Sequence, residues 1–110
     1  MRVLKFIVED TTIRKDPTCD FTGLVPGSTE PVRAEFTFSS DWKSKVKVAG
    51  FWSIMGAEYE PQAINDDGSC EIPIEALSKL AFKIQVLGQK RGSEIKRTDV
   101  ITIYQSGNNG

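Results

Sequence analysis

Several groups of side chains in this chain have residue types that chemistry uses, and spacing decides what each can do. Asn65-Asp66-Asp67-Gly68 has the composition of a calcium loop. With Gly68 at the sixth position of an EF-hand loop, however, the first and twelfth positions fall on Ala63 and Ile74, and neither side chain can ligate. The Asp-Gly pair therefore reads as a tight hairpin turn. Glu58 and Glu60 would share one face of a strand and could form a glycosidase pair only across a cleft holding a sugar, which no pattern here marks. Gly88-Gln89-Lys90-Arg91-Gly92 has neither the phosphate-loop nor the dinucleotide spacing and reads as a turn. Trp42, Trp52 and Tyr59 could form an aromatic platform for stacking a sugar ring, although aromatics in a small domain are more often core. Of the three, Trp42 is expected to plug the core and Tyr59 to be the most exposed.

Histidine is absent. That removes the usual neutral-pH base, the commonest zinc ligand and the Ser-His and Cys-His triads together. The expectation is a non-enzymatic chain with no catalytic residues, no cofactor and no metal. Cys19 and Cys70 permit one disulfide but form no Cys-x-x-Cys pair, and without an export signal both are expected to stay reduced.

At 110 residues the chain has the length of one domain, expected over residues 1–105 with a flexible Gly/Asn tail at 106–110. Its 14 basic and 15 acidic residues nearly balance, so no net field gathers nucleic acid or an anionic membrane. Lys43, Lys45 and Lys47 alternate with Ser44, Val46 and Val48 and are expected on one strand face. Joined by Lys90-Arg91 or Lys96-Arg97 they could make a phosphate-binding stripe, against which stands the commoner use of such lysines. A row of this kind protects a sheet edge or meets solvent, and nucleic acid is not expected as a partner. Lys5 breaks the apolar run at the start, Glu9-Asp10 follow it, and no run has the length of a membrane span. A soluble protein made in the cytosol is the expectation, with no membrane partner.

These groups sit on a succession of short strands. Val32, Ala34, Phe36 and Phe38 alternate with Arg33, Glu35, Thr37 and Ser39, which is the pattern of a half-buried strand. Residues 2 to 9 predict another strand, with Leu4, Phe6 and Val8 on one face and Val3, Lys5 and Ile7 on the other. Thr11 to Lys15 predicts a short strand, and the Thr-, Gly- and Pro-rich stretch from Thr18 to Pro31 predicts the longest loop. Phe51 and Trp52 follow Gly50 where alternation seats only one of them inward, so a bulge is expected at Gly50. Glu58 to Asn65 reads as an edge strand carrying Pro61, and Ser69 to Ile72 as the strand after the Asp67-Gly68 turn. Pro73 suits the first position of one or two helical turns, and Glu75 suits their positive end. Leu80, Phe82, Ile84 and Val86 predict a further inward face. The last long strand is expected within Ile95 to Gln105, with Val100, Thr102 and Tyr104 opposite Ile101 and Ile103.

About seven short strands with such turns predict an all-β fold, an antiparallel immunoglobulin-like β-sandwich with one short helical turn. An open barrel is the alternative architecture. Val32, Phe36, Phe38, Val48, Phe82, Ile84 and Val86 are its expected shared core. A two-layer sandwich needs one face of each strand for its core, so the second apolar set, Val3 and Ile7 with Ile101 and Ile103, is expected at a partner surface.

Phe36-Thr37-Phe38-Ser39-Ser40-Asp41-Trp42, Ala49-Gly50-Phe51, Gly68 to Leu77 with its Cys-x-Ile-Pro-x-Glu-x-Leu pattern, Val86-Leu87-Gly88 and Thr98 to Tyr104 together resemble a bacteriophage module. It is the small β-sandwich domain at the N-terminal end of head-fibre and baseplate or tail-fibre proteins of phages of Gram-positive hosts, and the resemblance covers residues 32 to 106. It implies a virion structural module that attaches to or decorates the capsid or tail, with other virion proteins and further copies of itself as partners. In such proteins receptor binding resides in a later domain. Because this sequence ends at Gly110, the expectation is a stand-alone virion protein or a piece of a longer one, and receptor recognition is not carried over. A carbohydrate-binding or host-protein-binding sandwich, using Trp42, Trp52 or Tyr59, is the alternative.

Overall fold

A computed structural model describes residues 2–28 and 30–105. The expected tail at 106–110 lies outside the described residues. Strands β1 (Arg2–Glu9), β2 (Thr12–Lys15) and β3 (Val32–Phe38) precede a 3-10 turn at Ser40–Trp42 and strand β4 (Val46–Ser53). Next come β5 (Gln62–Ala63), β6 (Ser69–Glu71), the helical turn α1 (Ile74–Leu77), β7 (Ala81–Gln89), β8 (Lys96–Arg97) and β9 (Ile101–Tyr104). One sheet has the order β2-β1-β3-β6. The other runs β5-β4-β7, with both β8 and β9 on the far side of β7. The fold is an all-β sandwich, as the strand pattern predicts.

A single apolar cluster lies between the sheets. Leu4, Phe6, Val8, Ala34 and Phe36 enter it from one side, and Ala49, Phe51, Phe82, Ile84, Val86 and Ile103 from the other. Phe6 stacks on Phe36 at 5.4 Å between ring centres, Phe36 meets Phe38 at 6.0 Å, and Phe38 meets Trp42 at 5.6 Å. This aromatic row ends at Trp42, which is fully buried and donates its indole N–H to the Asp10 carbonyl at 2.8 Å. Trp42 is thus the core plug expected of it.

One ladder of the first sheet departs from the antiparallel expectation. β1 and β3 run parallel, from Arg2 beside Val32 to Val8 beside Phe38. The cause is the connection. A turn at Asp10-Thr11 reverses the chain into β2, and the long loop then returns it to the starting edge, so β3 enters in the direction of β1. Arg2 secures that return by donating to the carbonyls of Asp20 and Thr22 at 2.8 and 2.6 Å.

The second sheet corrects several side-chain phases. Its β4–β7 ladder is continuous from Val46–Gln89 to Ser53–Phe82, so no bulge interrupts Gly50. Phe51 points inward and Trp52 outward. Val48 shares the outward face with Trp52, and Val46, 75% exposed, lies there too, so Val48 is not part of the core. The lysines do not form one row, because Ser44 has a left-handed backbone (φ 70°) and β4 begins only at Val46. Lys47 instead covers the Phe38 ring at 5.1 Å and donates to the Lys45 carbonyl. Leu80 precedes β7 and is 72% exposed, outside the inward set of Phe82, Ile84 and Val86.

The bulge lies elsewhere. Leu87 faces Arg97 and Ile84 faces Ile101, so three steps along β7 match four along its neighbour. The extra residue splits the expected last strand and reverses the phase of its second half. Ile103 is fully buried and Ile101 packs on the core, while Val100 and Tyr104 are exposed. Buried Thr98 closes the gap, since its hydroxyl accepts the Val86 N–H at 3.0 Å and donates to the Asp99 carbonyl at 2.7 Å. Asp99 then ties the sheets together, accepting the Ile13 N–H at 2.9 Å while its own N–H meets the Thr11 carbonyl.

The Asp67-Gly68 turn forms, with Gly68 donating to the Asn65 carbonyl at 2.8 Å and a φ of 86°. It is not a hairpin. β5 before it belongs to one sheet and β6 after it to the other, so the turn carries the chain across the sandwich.

Candidate functional site

The outward face of the second sheet forms a groove of about 590 Å³. Its floor follows from alternation along paired strands. On β4, Val46, Val48, Gly50 and Trp52 point out, and on β7 Gln85, Leu87 and Gln89 do. Register sets them in cross-strand rows, with Leu87 flanked by Val48 on one side and Arg97 on the other, and Gln85 beside Gly50. The loop after β7 adds Ile95 and Arg91, and the segment after β4 adds Glu58 and Pro61.

Trp52 occupies the middle of this face because Gly50 leaves room for it. A Cβ at Gly50 would lie 2.6 Å from Cη2 of the indole and 2.9 Å from Cζ3, so the ring rests on bare backbone. The edge of the same strand pairs with Glu58 through a bridge to Trp52. Gln85 donates its amide N–H to the Thr98 carbonyl at 2.7 Å, and Gln89 donates to the Ser93 carbonyl at 3.1 Å. Both amides are thereby oriented, each keeping a carbonyl oxygen as acceptor. Among the described residues, the guanidinium groups of Arg91 and Arg97 have no hydrogen-bond or ion-pair partner. The groove therefore combines an apolar floor, one flat aromatic ring and two free cations, which is the equipment for holding a ligand by its surface and charge.

Lys96, next to Arg97, turns to the opposite side. Its ammonium bonds Asp10 and Asp41, each at 2.6 Å, and lies 5.6 Å from the Trp42 ring centre. The bonds from Lys96 and then from Ser39 hold the Asp41 carboxyl down to about 2, and those from Asp10 and Asp41 raise the pKa of Lys96. This charge cluster satisfies itself and leaves the groove to the two arginines.

Of the aromatics singled out in the sequence, only Trp52 lies in the groove. Trp42 is inside the sandwich, and Tyr59 is half-buried against the core rather than exposed, so the three form no common platform. Val3 and Ile7 are half-buried on the face of β1 opposite Leu4, Phe6 and Val8, as alternation predicts. Ile101 and Ile103 do not join them. The one-residue bulge rotates both inward, and full burial takes Ile103 off any surface a partner could touch. Glu58 reaches the groove rim, while Glu60 is outside it. Leu87 and Ile95 have no site role in the sequence reading, and Arg91 and Arg97 enter it only as possible additions to the lysine stripe, whereas the structure sets them beside Trp52. The odd-numbered positions of β7 carried the available signal, since they oppose the inward even-numbered ones.

Cys19 and Cys70 are free thiols. Burial pushes the Cys70 thiol up to about 12, which leaves it protonated at neutral pH. Among the described residues no helix is long and apolar enough to cross a membrane, and no group of three or more His, Cys, Asp or Glu side chains converges. Comparison with protein-family models, with curated proteins and with solved structures finds no match to this chain.

Proposed function

We propose that this chain is a non-enzymatic binding module that serves as a structural component of a bacteriophage virion, attached to the capsid or tail as a head-fibre, decoration or baseplate element. The Trp52 groove carries the binding part of this reading, because an open apolar face with a seated indole and two arginines without a partner among the described residues is built for contact. The virion setting is supported by the resemblance of Phe36 to Trp42 and of Cys70 to Leu77 to phage fibre modules. Other virion proteins and further copies of this chain are its proposed partners. Exposed Leu80 and Tyr104, near each other at the start of β7 and the end of β9, favour protein contact. Gradient-purified particles from infected cells, analysed by mass spectrometry, test the reading. The chain should sediment with the particles at a fixed ratio to the major capsid protein, and its recovery only from the soluble fraction would defeat the proposal.

A second reading, a carbohydrate-binding module, is favoured by the way Trp52 lies on Gly50. The six-membered ring of the indole sits over bare Gly50 on an open sheet face, where a sugar ring can reach it.

A further inference from the structure

We propose that the groove on the outward face of β4, β7 and β8 binds an acidic saccharide, stacking a sugar ring on Trp52 and holding its carboxylate or phosphate with Arg91 and Arg97. This inference rests on the carbohydrate reading of the groove and adds the charge of the ligand.

Three observations lead to it. The groove lies on a sheet face, where backbone N–H and C=O groups are already used in the β4–β7 ladder. An extended peptide adds to a sheet through free backbone groups at an edge, so a ligand on this face must be held by side chains alone. Those side chains are an indole, aliphatic Val48 and Leu87, and amide oxygens from Gln85 and Gln89 that can accept from sugar hydroxyls. The second observation is charge. Lys96 is neutralised by Asp10 and Asp41 on the other side of β8, whereas Arg91 and Arg97 line the groove with no partner among the described residues. A guanidinium presents the paired N–H geometry that a carboxylate or phosphate accepts.

The third observation is that the positive charge is local. The chain as a whole carries a net charge of −1, and Glu58 stands on the groove wall formed by the segment after β4. A polyanionic nucleic acid strand would bring phosphates toward that carboxylate, whereas a sugar can place its hydroxyls there and its single anionic group at the arginines.

The test titrates the intact chain with oligogalacturonate, with a phosphorylated oligosaccharide, with neutral maltohexaose and with a single-stranded DNA oligomer, following tryptophan emission. Trp42 is buried, so a ligand on the groove is read through Trp52. At least one acidic saccharide should bind about tenfold or more tightly than maltohexaose and weaken with added salt. The two acidic probes distinguish a carboxylate from a phosphate preference. Trp52→Ala, which removes the reporter, is followed by isothermal titration calorimetry and should show no heat of binding where the parent does. Arg91→Gln with Arg97→Gln, both exposed positions, should keep the fold by circular dichroism and erase the preference for acidic over neutral sugar. Equal binding of maltohexaose would overturn the acidic ligand and leave the carbohydrate reading standing. Binding of no saccharide, or tighter binding of the oligonucleotide, would overturn both.

Discussion

The indole of Trp52 lies across Gly50 so closely that a Cβ there would stand 2.6 Å from its Cη2 atom. A second glycine of the same sheet makes a like contact inside the core with the tryptophan of the 3-10 turn, where a Cβ at Gly88 would stand 2.7 Å from Cζ3 of Trp42. The two tryptophans differ in their freedom to respond. Trp52 faces solvent on one side and can swing away, whereas Trp42 is fully buried. Gly50→Ala should therefore change stability by about 1 kcal/mol or less while shifting tryptophan emission. Gly88→Ala should cost about 1–3 kcal/mol through overpacking, seen as a lower urea midpoint.

The bulge before β9 makes neighbouring residues opposite in consequence. Ile103→Lys places an ammonium in a fully buried site and should leave the chain unfolded or severely destabilised. Tyr104→Lys changes a side chain that is 68% exposed and should stay within about 1 kcal/mol of the parent. Thermal melting of the two variants decides the phase, and a cooperative, parent-like melt for Ile103→Lys would contradict it.

Thr98 replaces a ladder bond with a side-chain bond. Thr98→Val should cost about 1–3 kcal/mol, because the buried Val86 N–H loses its acceptor. Thr98→Ser retains the hydroxyl and should lose less. Amide exchange at Val86 should accelerate in the valine variant and not in the serine one.

The Asp41 carboxyl sits at about 2 in the folded chain against 3.8 when unperturbed. A depressed folded pKa means that Asp41 contributes its stabilisation above the unfolded value and loses it as pH falls through the folded one. Stability should decline between pH 3.8 and about 2 for this reason. Lys96→Met removes the principal cause of the shift and should flatten that part of the profile, measured as the urea midpoint against pH.

Strands with strict alternation were legible in sequence. Leu4, Phe6 and Val8, then Ala34 and Phe36, then Phe82, Ile84 and Val86 all point where their spacing directs them. The misreadings arose where a local event shifts the phase by one. A left-handed Ser44 starts β4 later than the lysine alternation indicates, and an extra residue between Arg97 and Ile101 inverts β9. A one-residue shift moves every later side chain to the other face, so a single unseen bulge was enough to exchange Ile103 and Tyr104. The groove was half-visible. Trp52 stands out as an aromatic, and Arg91 and Arg97 as basic residues that could extend the lysine stripe, but their place beside Trp52 comes from the pairing of β7 with β8, which no local pattern records.

The parallel register of β1 and β3 also bears on how the chain reaches its native state. Residues Arg2 to Val8 of β1 pair with partners much later in the chain, from Arg2 with Val32 to Val8 with Phe38, so the ladder cannot zip outward from a tight turn as the β1–β2 hairpin can. The intervening loop must first be closed, at an entropic cost that precedes any reward from pairing. The central ladder of the first sheet should therefore form late in refolding, and stopped-flow tryptophan fluorescence should show refolding on the millisecond-to-second scale typical of non-local β topologies rather than in microseconds. Until it forms, the apolar faces of Leu4, Phe6 and Val8 remain open, and aggregation competes most strongly in that interval.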